Sequence, residues 1–262
     1  MALYKSEFPV LEYSDEEKGV VMPKQTGVRY SQVCVMSFFH ECIEMFIEKN
    51  NGREIDLYHS ESRNYQIYAV EEQGVSLSVV QAPVGSASAA NMAEFLFAHG
   101  VEALFVCGSC GVLENIEAGR VLVPDRALRD EGASYKYLPP ARFIELNRDC
   151  IEVMRRVLER ESIKYMLVVT WTNDALYRET PEMVAYRKSE GCQVVEMECA
   201  SMAAVAKANK KKFGQLLYSG DILFDKEKYD RRDYFKNYSA RELLFYLTVE
   251  TAKQWNTISG ED

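Results

Sequence analysis

The sequence predicts an α/β protein, a single domain with a central mixed β-sheet flanked by helices in three layers. Three observations carry that expectation. Apolar runs of strand length alternate with longer segments of helical period along the chain. No internal repeat, low-complexity tract or Gly/Ser/Pro-rich linker interrupts them. A chain of 262 residues, 47% hydrophobic and 27% charged, suits one large domain that buries its core without staples.

The elements follow in order. Residues 1–30 read as an N-terminal extension, packed on the domain or on a neighbouring subunit. SQVCVMSFFHECIEMFIEKNNG (31–52) has helical spacing and ends on Asn-Gly, a C-cap signal. YQIYAV (65–70) and VSLSVVQA (75–82) read as strands around a turn at Glu72-Gln73-Gly74. SASAANMAEFLFAHG (86–100) opens on Ser, is Ala-rich and closes on Gly, as helices do. VEALFVC (101–107) is a short buried strand. The strands 75–82 and 101–107 with the helix between them make a βαβ unit and a parallel pair. A helix over 147–162, a strand over 165–171, a helix from Pro181 and a strand over 192–197 continue the alternation. A helix over 199–211, a strand over 213–219 and a helix over 239–255, opened by a Ser239/Glu242 capping box, complete it.

Composition narrows the partners. A formal net charge of −9 argues against a nucleic-acid or anionic-membrane surface, and no apolar run approaches the ~18 residues that span a bilayer. The N-terminal stretch lacks a basic region followed by an apolar one, so a cytoplasmic location is expected. The seven cysteines are an odd, scattered set, best read as reduced, buried thiols.

In open α/β sheets, ligands lie outside the carboxyl ends of the strands. Four such ends carry distinctive residues: PVGSAS (83–88), GSCG (108–111), EMEC (196–199) and SGD (219–221). PVGSAS places Gly85 at a strand-to-helix turn, where backbone N–H groups favour an anion, although Gly and Ser also serve such turns simply as caps. GSCG reads as a small-residue loop facing a ligand. Its C-x-x-C spacing, Cys107 to Cys110, opens no helix and has no second pair for a metal, which argues against redox or zinc chemistry. In EMEC, Glu196 and Glu198 fall on one side of an extended strand end, and two acids in an apolar stretch are costly unless something binds them. One of them could instead cap the following helix. Asp221 directly after a strand is either a loop cap or an acid of the site.

Taken in order from about residue 63 to 225, these segments resemble the nucleoside phosphorylase family that includes purine nucleoside and uridine phosphorylases. VSLSVVQAPVGSASAA is similar to its glycine loop, and VCGSCGVLENIEAGRVLVPDRALRDEGASYKYLPP to its G-[ST]-x-G segment and the pattern that follows. TWTNDALYRETPEMVAYRKSEGCQVVEMECASMAAVAKAN resembles its base-site loop and M-E helix, and LLYSGDIL its terminal strand. The resemblance implies phosphorolysis of a purine or pyrimidine nucleoside to free base and (deoxy)ribose 1-phosphate, with inorganic phosphate as co-substrate and no cofactor or metal. It implies that Glu198 accepts hydrogen bonds from the ribose hydroxyls, with Met197 and Glu196 beside the sugar, and that Asp221 protonates the leaving base. Gly85, Gly108 and Ser109 would line the phosphate side. Cys110, Gly111, Leu176, Tyr177, Arg178 and Val195 would surround the base. Arg63 matches a phosphate-binding Arg donated by a neighbouring subunit, which implies a homo-oligomer, a dimer or a hexamer of dimers. Read without the family, Arg63 is a solvated surface residue.

Several positions depart from the pattern. Val106 stands where the family has a phosphate-binding Arg. The early G-D-P…R loop is absent, the corresponding region reading VMPKQTGVRYSQV (21–33), and no His precedes residue 40. Lys24 or Arg29 could compensate. Arg231 and Arg232 could pair with Asp221 or form a solvated charge run. These departures keep open a nucleosidase, with water in place of phosphate, and a nucleoside-binding protein that has lost turnover. A methyltransferase or dehydrogenase would need an early G-x-G-x-x-G, which the chain lacks.

Overall fold

A computed structural model describes residues 3–16, 19–23, 26–224, 230 and 238–259. Strands β1 (Leu3–Tyr4) and β2 (Tyr13–Ser14) form a small ribbon. The main sheet takes β3 (Val33–Ser37), β4 (Arg53–His59), β5 (Asn64–Glu72), β6 (Val75–Gln81), β7 (Ala103–Val112) and β8 (Val121–Asp130). It continues with β9 (Phe143–Glu145), β10 (Tyr165–Asn173), β11 (Val194–Glu196) and β12 (Lys212–Ile222). The helices are α1 (His40–Lys49), α2 (Ser86–Ala98), α3 (Ser134–Tyr137), α4 (Arg148–Arg160), α5 (Pro181–Ser189), α6 (Cys199–Ala208) and α7 (Tyr238–Ser259).

Among the described residues the sheet order is β11-β10-β8-β12-β7-β3-β6-β5-β4, with β9 beside β8. Parallel and antiparallel pairs coexist, so the sheet is mixed as the sequence predicts. A second pairing of β11, antiparallel to β7, closes β7, β12, β8, β10 and β11 into a ring. Helices α2, α3 and α6 cover one face and α1, α4 and α7 the other, which makes the three layers. No helix among the described residues is long and apolar enough to cross a membrane.

The segment 31–52 is not one helix. Val33–Ser37 is a strand, buried at every residue and paired in parallel with β6 and β7, and only His40–Lys49 is helical. A strand covered on both faces shows no polar alternation, so its apolar run merged with the pattern of α1. The two strands of the expected βαβ unit therefore run parallel but are not neighbours, because β3 lies between them. The turn at Gln73-Gly74 is a two-residue hairpin with φ of 53° and 81°, the geometry of the tight turn that suits twisted strands.

GSCG is strand rather than loop. Ser109 and Cys110 pair with Tyr218 and Ser219 of β12, and Gly111 with Val195 of β11. Both glycines are close-approach positions. A Cβ on Gly108 would lie 2.8 Å from the Phe38 ring, and one on Gly111 would strike Leu223 and stand 3.1 Å from Val195. The Cys107 and Cys110 side chains are buried, and burial pushes the Cys107 thiol up to about 11 and that of Cys110 upward too, so neither offers a thiolate. The N-terminal ribbon lies on this chain's own α3, where the Lys136 ammonium donates to the carbonyls of Pro9, Val10 and Glu12.

Candidate active site

The site begins where β11 reaches the end of β7. Beyond Glu196 the chain turns at Met197 and enters α6 with Glu198 at the N-cap. Glu196 and Glu198 are 6% and 5% exposed, yet their partners separate their roles. Glu196 Oε1 accepts from the hydroxyls of Thr172 (2.6 Å) and Thr170 (3.2 Å). Its Oε2 accepts from the N–H groups of Glu198 (2.7 Å) and Cys199 (2.6 Å). Burial raises this carboxyl while all four donors favour its ionised form, and the charge caps α6. Both oxygens are thus taken by the fold. Glu196 and Glu198 do not share one side of an extended strand, because the strand ends at Glu196 and Glu198 is the N-cap of α6.

Glu198 Oε1 accepts from Gly85 N–H at 2.6 Å. Burial, and then the charge of Glu196, push its carboxyl up to about 8. Gly85 is the N-cap of α2 at φ 94°, a conformation that favours glycine. Its N–H is spent on the Glu198 carboxylate. Ser86 Oγ donates to the Met197 carbonyl at 2.5 Å. The PVGS turn and the EME turn are thereby stitched together, although 111 residues separate them.

A second cluster lies beside it. Asp221, in the last turn of pairing of β12, has Oδ1 3.6 Å from where a Gly111 side chain would begin, against Val195 and Leu223. Cys110 is buried next to them. Glu179 joins this cluster. It accepts from Asn173 Nδ2 at 3.2 Å, and burial, with repulsion from Asp221, pushes it up to about 7. A lone acid between Tyr177 and the Thr180 N-cap carries no pattern that would single it out in the sequence. Only the fold brings it to Asp221.

The residues expected on the phosphate side meet apolar neighbours. Val106 is fully buried, and the half-buried Phe38 packs on Gly108 beside the half-buried Ser109. The turn after the first sheet strand is Ser37-Phe38-Phe39-His40, not the stretch 21–33, a correction that follows from β3 being a strand. Arg29 does not compensate for Val106: its side chain lies against Gly100, before the start of β7, at the opposite end of the strands. Lys24, Arg231 and Arg232 fall outside the described residues. Arg63 is exposed in the β4–β5 hairpin, its guanidinium 4.7 Å from the Tyr65 ring, and does not reach this chain's crevice. Leu176, Tyr177 and Arg178 form an exposed turn at the rim, with Tyr177 90% exposed.

A mixed sheet whose strand ends gather a buried carboxylate, a glycine turn and a pair of further acids defines a small-molecule site of the α/β type. Residues 32–246 match the phosphorylase superfamily, and the chain belongs to that family, which spans nucleoside phosphorylases and nucleosidases. A guanosine phosphorylase of Halorubrum lacusprofundi is 27% identical over 158 residues, 60% of this chain, and the match spans 66% of that relative's length. The purine nucleoside phosphorylase of Toxoplasma gondii, solved with immucillin-H, superposes with a TM-score of 0.75 at 18% identity, over 90% of this chain and 96% of that one. An AMP nucleosidase of Bacteroides thetaiotaomicron gives 0.71 at 20%, over 88% and 91%. The two structural likenesses establish the fold.

Proposed function

We infer that the protein cleaves the N-glycosidic bond of a purine nucleoside by phosphorolysis, releasing the base and (deoxy)ribose 1-phosphate, with inorganic phosphate as co-substrate and no cofactor. The observation that carries this reading is the buried Glu198 carboxylate, held on Gly85 N–H, together with the acid Glu179 set beside Asp221 at the neighbouring strand ends. Ionised, Glu198 accepts the ribose hydroxyls as positive charge develops on the sugar. The C1′–N bond breaks with its electron pair leaving on the base, and the Glu179–Asp221 pair supplies the proton that neutralises it. Burial and repulsion from Asp221 raise the Glu179 carboxyl to about 7, so a substantial fraction of it carries that proton at neutral pH. A protonated acid beside a carboxylate suits a purine edge that presents N–H groups, and the guanosine phosphorylase relative supports the same preference. Arg63 on an exposed hairpin supports a homo-oligomer in which a neighbour completes the phosphate side.

A second reading, hydrolysis, has its own observation. Val106 and Phe38 make the phosphate side apolar within this chain, where a multiply charged nucleophile needs cations. Chromatographic assay of base release from guanosine, inosine, adenosine and uridine, with and without phosphate, separates the two. Release that depends on phosphate supports phosphorolysis. Release indifferent to phosphate refutes it in favour of hydrolysis.

A further inference from the structure

Helix α2 starts without a cap of its own. Its N-cap is Gly85, and no side-chain cap closes its first turn. Two carboxylates from far along the chain take that role. Glu198 accepts from Gly85 N–H, and Asp174, the residue after β10, accepts from Ser86 N–H at 3.3 Å through Oδ1. The other oxygen, Oδ2, accepts from Gly132 N–H at 3.4 Å, in the loop between β8 and α3. One exposed carboxylate therefore bridges two loops at the mouth of the site. Negative charge at a helix N-terminus is favourable, so the arrangement is held by charge as well as by hydrogen bonds.

We propose that Asp174 is a positioning residue: by holding Ser86 and Gly132 it fixes the Gly85 N–H on which Glu198 rests. The proposal depends on the role given to Glu198 above. Asp174 also acts through its charge. The groups around Glu198 are Glu196 from β11, Cys199 from α6, the N–H groups of Gly85 and Met197, and Asp174 from the end of β10. Asp174 is one of the charges that oppose the ionisation of Glu198.

Asp174→Asn keeps the shape but removes the charge, and its amide nitrogen cannot accept from an N–H, so one of the two bridges is lost. Nucleoside kcat/KM is expected to fall about tenfold or more, since small displacements of a positioning carboxylate are costly to catalysis. In protein labelled at glutamate side chains, the Glu198 carboxyl followed by carbon NMR should titrate at lower pH in the variant. Asp174→Glu restores the charge and should return that titration towards the parent. Amide hydrogen exchange supplies a readout independent of turnover. Exchange at Gly85, which Asp174 does not touch, should quicken in Asp174→Asn together with that at Ser86 and Gly132. An unchanged Gly85 exchange rate with an unchanged Glu198 titration overturns the proposal, whatever happens to the melting temperature. If the parent cleaves no nucleoside, the functional reading fails on its own, and the exchange at Gly85 still decides the role of Asp174.

Discussion

Glu198→Gln should destroy activity and stabilise the protein, and the stabilisation should depend on pH. The wild-type carboxyl is raised from 4.5 to about 8. Below pH 4.5 it is protonated in folded and unfolded chains alike and carries no penalty. As pH rises from 4.5 towards 8, the unfolded chain gives up the proton while the folded chain keeps it, so stability falls across that window and the full penalty is present above 8. At ~1.4 kcal/mol per tenfold change in ionisation constant, the penalty reaches up to about 5 kcal/mol at pH 9. Glu196 shares the repulsion, and half that figure, about 2 kcal/mol, still raises Tm by roughly 4–8 °C. Glutamine keeps the oxygen that accepts from Gly85 N–H and never ionises. Thermal melts at pH 5 and pH 9 check this. The variant should melt only slightly above the wild type at pH 5, where the penalty is below about 1 kcal/mol, and several degrees higher at pH 9. An equal Tm difference at both values, of either sign, would refute the account of Glu198 as a buried, charge-strained carboxylate.

Other consequences can be measured in parallel. Glu196→Ala strands two hydroxyls and two α6 N–H groups, and should cost about 3 kcal/mol in denaturant melts. The pH profile of kcat/KM for a purine nucleoside should be bell-shaped around the ionisations near 7 and 8. In Glu179→Gln it should keep only the rise, as Glu198 ionises near 8. Gly111→Ala puts a methyl against Leu223 and Val195, within 3.6 Å of Asp221 Oδ1. The nucleoside KM should rise at least several-fold with little change in Tm, as steady-state kinetics and melting would report.

Much of this architecture is legible in the residues because periodicity and caps mark where elements stop. The helices α2, α4 and α6 and the strands β6, β10 and β12 stand close to where their patterns place them. Misreadings arise where burial erases periodicity. Val33–Ser37, covered on both faces, blends into α1, and that single error also misplaces the first strand-end turn. Arg53–His59 escapes notice as an edge strand with mixed exposure. At the site, the EME and PVGS motifs are visible as local patterns, and the hydrogen bond from Gly85 to Glu198 joins them. Asp174, Glu179 and Phe38 are not visible in this way. Each acts on residues tens of positions away, Glu179 on Asp221 and Asp174 on Ser86, and no local spacing encodes such a contact. The division of labour between Glu196 and Glu198 is likewise a tertiary fact, set by Thr170 and Thr172 reaching the first acid.

The central claim is that Glu198 and the Glu179–Asp221 pair form one glycosidic-bond-cleaving site. It is tested most directly by following guanine release from guanosine in saturating phosphate, for the wild type, Glu198→Ala and Asp221→Asn. The account predicts turnover by the wild type and a loss of about a hundredfold or more in each variant, with the fold retained by circular dichroism. Wild-type levels of guanine release from either folded variant, or no base release by the wild type from guanosine, inosine, adenosine or uridine, would contradict it.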